Sequence, residues 1–155
     1  MSQKATRLEA QVTATRLKIL LDKMDPFMEA IEMVKDFNTS FEIEQLPKSD
    51  VGDELNYTLK HTLMAEELSE YLEACKKGDY VEVCDAVVDM MYILLGIVIH
   101  HKMENFFFDM FNEVHESNMS KLENGRVLRR SDGKIMKGSD YFTPNLSVII
   151  LGANG

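Results

Sequence analysis

Six acidic residues stand in two groups on either side of a short Lys-Lys-Gly-Asp break: Glu66, Glu67, Glu70, Glu82, Asp85 and Asp89. The second group is threaded through an otherwise apolar run. Because an uncompensated buried carboxylate costs on the order of several kcal/mol or becomes protonated, such acids need cations. All-oxygen ligands favour Mg²⁺ or Mn²⁺ over zinc, and no histidine follows a glutamate at the di-iron spacing. The pattern therefore predicts a magnesium site.

Two helices must position these acids, and the first is predicted over about residues 53–77. At about 100° per residue, Glu67 and Glu70 fall on its apolar side, while Glu66 sits on the boundary. A solvated face explains Glu73 well but does not explain Glu67 or Glu70. The helix therefore turns part of its acidic set toward a neighbour.

The second helix is predicted over about residues 79–101, with Gly78 capping the first helix and Asp79 starting the second. Apolar side chains point in nearly every direction, which predicts a buried helix with one acidic stripe. Helices joined by a short turn pack antiparallel, so the two acidic groups are expected to meet. The predicted metal ligands are Glu67, Glu70, Asp85, Asp89 and Glu82.

Other interpretations of these residues stay open. The whole acidic set can be a solvated face or an ion-pair network with nearby lysines. Glu82 also fits a capping box with Asp79. His100 and His101 lie at a helix end, and we interpret them as surface or dipole-satisfying residues rather than ligands.

The rest of the chain adds helices over about residues 4–23, 26–37 and 105–117. After these the pattern changes: residues 127–137 predict a small β-hairpin around an Asp-Gly turn, and an apolar stretch follows at 148–151. The fold class is therefore all-α, a bundle of four to five helices with a short C-terminal hairpin and tail.

The charge is distributed unevenly along the chain. The formal net charge is −9, which argues against binding a nucleic-acid polymer. Residues 119–138, however, hold six basic and two acidic residues. Such a basic segment is either a solvated surface or a clamp for a small polyanion. We predict a helical domain over residues 1–118 and a C-terminal extension over 119–155.

Cysteine usage and hydropathy indicate the compartment. Cys75 and Cys84 lie in helical patterns without metal-type or disulfide-type spacing, and we interpret them as core thiols of a reducing compartment. The N-terminus shows no apolar signal core, and the longest apolar run, Met90 to Ile99, is too short to cross a bilayer. The expectation is a cytoplasmic protein without a membrane partner.

The motif Glu-Glu-x-x-Glu, a short gap, then Glu-x-x-Asp resembles the MazG-type all-α nucleotide pyrophosphohydrolases, in the branch grouped with phosphoribosyl-ATP pyrophosphohydrolase. Residues 35–41, 113–121 and 132–138 match that branch as well, with Tyr141 and Pro144 after them. The resemblance covers about residues 27–146. It implies Mg²⁺-dependent cleavage of a nucleoside triphosphate to a monophosphate and pyrophosphate.

Residue roles follow from the same resemblance. Glu66, Glu67 and Glu70 match the first acidic element, of which Glu66 or Glu67 is expected to orient or deprotonate the attacking water. Asp89 matches the terminal aspartate, but Ala86 stands where some members carry a glutamate. Either Asp85 replaces that glutamate, or Glu82 and Asp85 form the operative pair with Asp89 added. The residues expected to bind substrate are Asn118, Lys121, Arg129, Lys134, Lys137, Tyr141 and Lys60.

The expected activity is the hydrolysis of a deoxynucleotide such as dUTP or dCTP, with Mn²⁺ as a possible substitute for Mg²⁺. One rival is phosphoribosyl-ATP hydrolysis in histidine synthesis. A rival of another class is a non-catalytic helical adaptor that holds a structural metal. The amount of apolar helix surface, together with the resemblance, predicts a dimer or tetramer of this chain.

Overall fold

A computed structural model describes residues 26–46 and 50–153. Over these residues the chain forms five α-helices and no β-strand: α1 (Pro26–Ser40), α2 (Glu54–Lys77), α3 (Tyr80–His100), α4 (Phe107–Met119) and α5 (Leu146–Ala153). The predicted all-α class is confirmed. The helix predicted over residues 4–23 lies outside the described residues.

A tight turn joins α2 to α3, as the sequence predicts. Gly78 takes a left-handed conformation with φ 71°, and the backbone N–H of Asp79 donates to the Ala74 carbonyl at 3.0 Å. Asp79 Oδ1 then accepts from the backbone N–H groups of Val81 and Glu82 at 3.2 and 3.3 Å. The last turn of α2 and the first turn of α3 are therefore both capped within two residues. With so short a connection, α2 and α3 run antiparallel and pack against each other.

The core of the first three helices is small and forms where α1 packs against α3. Ile31 and Val34 of α1 are buried, as are Leu95, Val98 and Ile99 of α3. These apolar contacts fix the carboxyl-terminal half of α3. The acidic half of α3, near the turn, rests mainly on its pairing with α2.

The chain divides into two compact units, with the boundary after His101. The first unit contains α1, α2 and α3. The second contains α4 and α5, which contact each other, and the turns between them. The predicted division at residue 118 stays a prediction.

Residues 127–137 reverse direction without forming the predicted β-hairpin. Gly133 takes φ 86°, the backbone N–H of Arg130 donates to the Lys134 carbonyl at 2.9 Å, and that of Met136 donates to the Leu128 carbonyl at 2.8 Å. One isolated antiparallel bridge accompanies these bonds, and no strand continues from it. A turn-sized segment this short pairs too few residues to extend a ladder.

Exposure differs from the sequence-based expectation in three places. The helix α3 is not buried all round: Val81 is 73% exposed and Val88 63%. Cys75 and Cys84 are exposed, so the interpretation as core thiols is wrong. His100 is only 4% exposed, so the surface interpretation is wrong for it. Only two described helices flank α3 within the first unit, and they cannot cover its whole circumference.

One helix of the described residues, α3, is long and apolar enough to cross a membrane by length and composition alone. The apolar run from Met90 to Ile99 is shorter than this helix, because the acids near the turn interrupt the apolar sequence but not the helix. Core helices of soluble proteins satisfy the same criterion, so α3 by itself is weak evidence for a membrane span.

Candidate functional site

One face of α2 is less exposed than the rest of the helix, and its members recur every three or four residues: Asn56, Lys60, Met64, Glu67, Tyr71 and Ala74. This spacing is that of a helix face turned toward a neighbour. The neighbour is α3, because a Cβ built on Gly96 would lie 3.8 Å from Lys60 Nζ. We call this contact the α2–α3 seam. It carries two charged side chains, Lys60 and Glu67.

Glu67 is the acid on the seam, and its surroundings are unusual for a carboxylate. Its Oε2 atom is buried and has no hydrogen-bond partner among the described residues. Burial of the carboxylate raises the pKa of Glu67, and the charges of four nearby acids raise the pKa further: Glu70, Asp89, Asp85 and Glu66. Acids from both helices therefore act on one buried oxygen, as the antiparallel packing predicts.

The four other acids of this set are exposed at the surface beside the seam. The set consequently has one half-buried member, Glu67, and an open, solvent-facing side. An open side suits a site that must admit a charged ligand, because the ligand's own atoms can complete the coordination or the ion pairing.

Glu82 is placed differently from the other acids. It is exposed, and it is not among the carboxylates that raise the pKa of Glu67. Its backbone N–H contributes to the helix start by donating to Asp79 Oδ1, while the backbone N–H of Asp79 is already bound to Ala74. Glu82 thus belongs to the start of α3, and its role as a metal ligand stays a prediction.

The carboxylate oxygens of this acidic set are suitable ligands for a hard divalent cation. Five carboxylates, with one buried oxygen left without a partner, are the kind of ligand that Mg²⁺ and Mn²⁺ take up in proteins. Across residues 26–46 and 50–153, no three His, Cys, Asp or Glu side chains converge into a ready-made metal cage. Mg²⁺ sites commonly keep waters and substrate phosphates among their ligands, so few protein ligands are needed.

Two neighbouring cavities lie along α2. The first, of about 450 Å³, is lined by Glu66, Glu70, Thr62 and Ser69, and the second, of about 460 Å³, contains Lys60. His61 and Ala65 line both cavities. The two cavities therefore border each other along the helix that carries Glu66 and Glu70. A further cavity between α1 and α3 has only apolar and aromatic walls and offers no chemistry.

The sequence did not indicate that His100, at the end of α3, is buried or that His101 lines a cavity. The Nε2 atom of His100 is buried without a hydrogen-bond partner among the described residues. Burial, Lys60 and His101 all lower the pKa of His100. His101 Nδ1 lies 2.6 Å from the Asp50 carbonyl oxygen, which fixes its ring beside the Lys60 cavity. The signal in the sequence is the adjacency of two histidines to an unbroken apolar run.

The predicted polar ligands of the second unit hold one another. Lys121 Nζ donates to Asn118 Oδ1 at 2.5 Å, and Lys137 Nζ lies 4.1 Å from the centre of the Tyr141 ring. Hydrogen bonds with Thr143 and Ser117, together with Lys137, lower the pKa of Tyr141. Both pairs of predicted ligands are thus in contact within the second unit.

The turn of the second unit positions the two remaining basic candidates. Arg129 Nη1 donates to the Gly133 carbonyl at 2.9 Å, which holds the guanidinium against the turn. The backbone N–H of Lys134 donates to Asp132 Oδ1 at 3.1 Å. Both side chains are exposed, so they are accessible to an anion.

The comparison with protein families gives a specific result. Residues 34–118 match the family model described as phosphoribosyl-ATP pyrophosphohydrolase, and this range is more than half of the chain. No curated protein matches the chain. The matched range contains both acidic groups and ends at Asn118. The chain therefore belongs to the phosphoribosyl-ATP pyrophosphohydrolase family of MazG-like, all-α nucleotide pyrophosphohydrolases, which hydrolyse acid anhydrides.

Proposed function

We propose that this chain is a Mg²⁺-dependent pyrophosphohydrolase of deoxynucleoside triphosphates such as dUTP or dCTP, giving the monophosphate and pyrophosphate. One observation carries the proposal: the Oε2 atom of Glu67 is buried, has no hydrogen-bond partner among the described residues, and lies in the field of four other acids. An arrangement that destabilises its own charge is typical of a site built for a cationic ligand.

The proposed metal-holding residues are Glu67, Glu70, Asp85 and Asp89, with Glu82 as a further candidate. When bound, Mg²⁺ or Mn²⁺ supplies charge neutralisation at the phosphate oxygens. The open side of the acidic set leaves room for those oxygens. The exposed carboxylates are free to shift their side chains toward the ligand, while Glu67 is held by the seam.

Glu66 and Glu67 are the proposed catalytic groups. A carboxylate of this pair accepts a proton from water while the water oxygen attacks phosphorus in line. The bond from phosphorus to the α–β bridging oxygen breaks, and its electron pair leaves with pyrophosphate. In the metal-free protein, burial and the four neighbouring acids raise the pKa of Glu67, so its carboxylate accepts a proton more readily than an ordinary glutamate until a cation binds.

The second unit supplies the proposed phosphate ligands: Lys121, Arg129, Lys134 and Lys137. Ammonium and guanidinium groups bind phosphate oxygens through charge-assisted hydrogen bonds. Asn118, with both a donor and an acceptor, suits a sugar hydroxyl. The Tyr141 ring positions Lys137 through its contact with the ammonium group. Lys60 is the proposed substrate ligand of the first unit.

We also propose that the chain works as a cytoplasmic dimer or tetramer. The support is the exposed apolar surface of the first unit, where Leu59, Leu68 and Leu72 of α2 are each more than half exposed. On α3, Val81 and Val88 are exposed in the same way. Leu68 and Leu72 lie one helical turn apart and Val81 and Val88 lie two turns apart, so each pair lies along one helix face. Exposed apolar faces of this kind mark interaction surfaces.

A second candidate function is phosphoribosyl-ATP hydrolysis, which the description of the matching family favours. Both substrates contain the same anhydride, so the acidic set serves either. Growth of a histidine auxotroph that lacks this step separates the two: complementation by the chain would assign it to histidine synthesis.

The first experiment measures pyrophosphate release from a panel of nucleoside triphosphates, deoxynucleoside triphosphates and phosphoribosyl-ATP, with Mg²⁺, Mn²⁺ or EDTA. We expect release from a deoxynucleotide that EDTA abolishes. The test variant is Glu67→Gln, which keeps the size and shape of the side chain. The matched control is Glu73→Gln on the same helix, an exposed residue that pairs with Lys76 at 2.7 Å.

Loss of release with Glu67→Gln but not with Glu73→Gln would support the proposal. If no substrate releases pyrophosphate while Mg²⁺ still raises the melting temperature of the wild type, the site holds a metal without catalysis. The non-catalytic adaptor is then the better description.

A further inference from the structure

Lys60 is a basic side chain in an unusual place. It lies on the α2–α3 seam, and burial lowers the pKa of its amine. No described carboxylate lies within ion-pair distance of Lys60 Nζ, although the chain is strongly acidic. An amine that is partly buried without a counter-charge costs free energy, and a ligand oxygen would remove that cost.

The position of Lys60 relates it to the acidic set. It precedes Glu67 by seven residues, which is two turns of one helix face and about 10.5 Å along the axis. A ligand whose phosphates lie at the acids would therefore present its nucleoside end, or its terminal phosphate, near Lys60. The cavity walls distinguish the two possibilities.

The cavity at Lys60 is mainly apolar. Its volume is about 460 Å³, and Tyr57, Met64, Leu68 and Ile97 are among the residues that line it. A terminal phosphate would need several donors and access to water, whereas apolar and aromatic walls suit the faces of a planar base. This cavity also shares His61 and Ala65 with the cavity that contains Glu66 and Glu70, so the two cavities border each other along α2.

The polar groups of the cavity define which base edge it can bind. A carbonyl oxygen only accepts hydrogen bonds, so the 2.6 Å contact with the Asp50 carbonyl places a proton on His101 Nδ1. With the proton on Nδ1, the neutral tautomer of His101 presents Nε2 as an acceptor. Lys60 Nζ can only donate. One strong donor and one acceptor match a ring carbonyl next to a ring N–H.

We propose that the Lys60 cavity binds the substrate's nucleobase, with Lys60 Nζ donating to a ring carbonyl oxygen and His101 Nε2 accepting a hydrogen bond from the base. The site thereby selects bases that carry a carbonyl oxygen, such as uracil, over adenine, which carries none. This inference rests on the proposed function and adds a base-selecting residue to it.

The test compares Lys60→Met with the wild type by measuring kcat and KM for dUTP and dATP. Met keeps the length of the side chain but cannot donate. The control is Lys76→Met, which removes the same charge from the same helix at an exposed position. We expect Lys60→Met to lower kcat/KM for dUTP by about tenfold to a hundredfold more than for dATP, mainly through KM.

An equal loss for dUTP and dATP would overturn the inference, because Lys60 would then serve the phosphates. No loss for either would also overturn it. If the wild type hydrolyses neither triphosphate, the proposed function fails, and calorimetry with dUMP and dAMP tests the cavity alone. Tighter binding of dUMP by the wild type, lost in Lys60→Met, would then support the inference, and equal binding of both would end it.

Discussion

The two units of this chain use their polar residues in opposite ways. On the α2–α3 seam, Lys60 Nζ and Glu67 Oε2 are at least partly buried and lack described partners. In the second unit, Glu123 accepts hydrogen bonds from Ser139, and Arg130 pairs with Asp132 through two bonds. The α2–α3 seam of the first unit leaves these two charges without a described partner, while the named charges of the second unit are paired within it.

This difference indicates which polar residues are available to bind a ligand. A buried polar group without a partner lowers stability, so its presence in a folded chain needs another explanation, such as binding. A polar group that is fully bonded inside the chain already has a structural role. The motifs of both units look equally specific in the sequence, but among the described residues the buried side-chain atoms without a partner, Glu67 Oε2 and His100 Nε2, both lie in the first unit.

The substitution Glu67→Gln tests this contrast between the units with the largest expected effect. We expect pyrophosphate release to fall by about a hundredfold or more, because an amide neither accepts the proton nor holds the cation. The same change is expected to raise the melting temperature of the metal-free protein at pH 7. The raised pKa of Glu67 means that its charge opposes folding at every pH above that pKa.

Differential scanning fluorimetry in EDTA, at pH 5 and pH 7, measures whether the variant melts at a higher or a lower temperature than the wild type. The stability gain should be present at pH 7 and shrink as the pH falls, since the wild-type carboxyl then becomes protonated. With saturating Mg²⁺ the wild type should have the higher melting temperature, because the cation stabilises only the wild type. A variant that loses both activity and stability in EDTA would show that Glu67 is a structural residue.

The second prediction tests the closed network of the second unit. A Cβ added to Gly138 would lie 2.7 Å from Glu123 Oε2 and 3.0 Å from the carbonyl oxygens of Lys121 and Leu122. We expect Gly138→Ala to lower the free energy of unfolding by about 1–3 kcal/mol, because backbone atoms cannot give way as a flexible side chain does. Urea denaturation measures the change.

Gly152→Ala is the matched control, since nothing lies within 4 Å of a Cβ at that position. It should leave stability unchanged or raise it slightly, as alanine is the better helix former. Equal stability of the two variants would mean that the segment around Gly138 is not closely packed, and the contrast between the units would weaken.

The helices and the turn between α2 and α3 could be predicted because their determinants are local. Gly78 and Asp79 mark a helix end and a helix start by their own chemistry, and the acidic spacing follows from helical geometry alone. The encounter of Glu67 with acids of α3 required only the further rule that short-linked helices pack antiparallel.

The remaining features depend on contacts between distant segments, which no local pattern contains. The exposure of Cys75 and Cys84 reflects how little of α3 and α2 the described neighbours cover. The approach of Lys60 to Gly96 needs the exact register of the two helices. For the same reason the burial of His100 was not predictable from its place at a helix end.

The last prediction concerns His100, the other buried group of the first unit without a described partner for its Nε2 atom. Burial first, then the charges of Lys60 and His101, lower its pKa, while a bond to the Glu44 backbone and the charge of Asp53 oppose them. Because the folded pKa lies below the unfolded value, the unfolded chain binds the proton first. Stability should therefore fall as the pH drops through about 6.5, the ordinary histidine value.

His100→Gln cannot take up that proton, so its melting temperature should fall less than that of the wild type between pH 7.5 and pH 5.5. The effect is expected to be the smallest of the three. His115→Gln, at an exposed position on α4, is the control and should follow the wild type. Identical pH dependence of all three proteins would mean that His100 accepts a proton without cost, and unpaired burial in the first unit would then be confined to the seam.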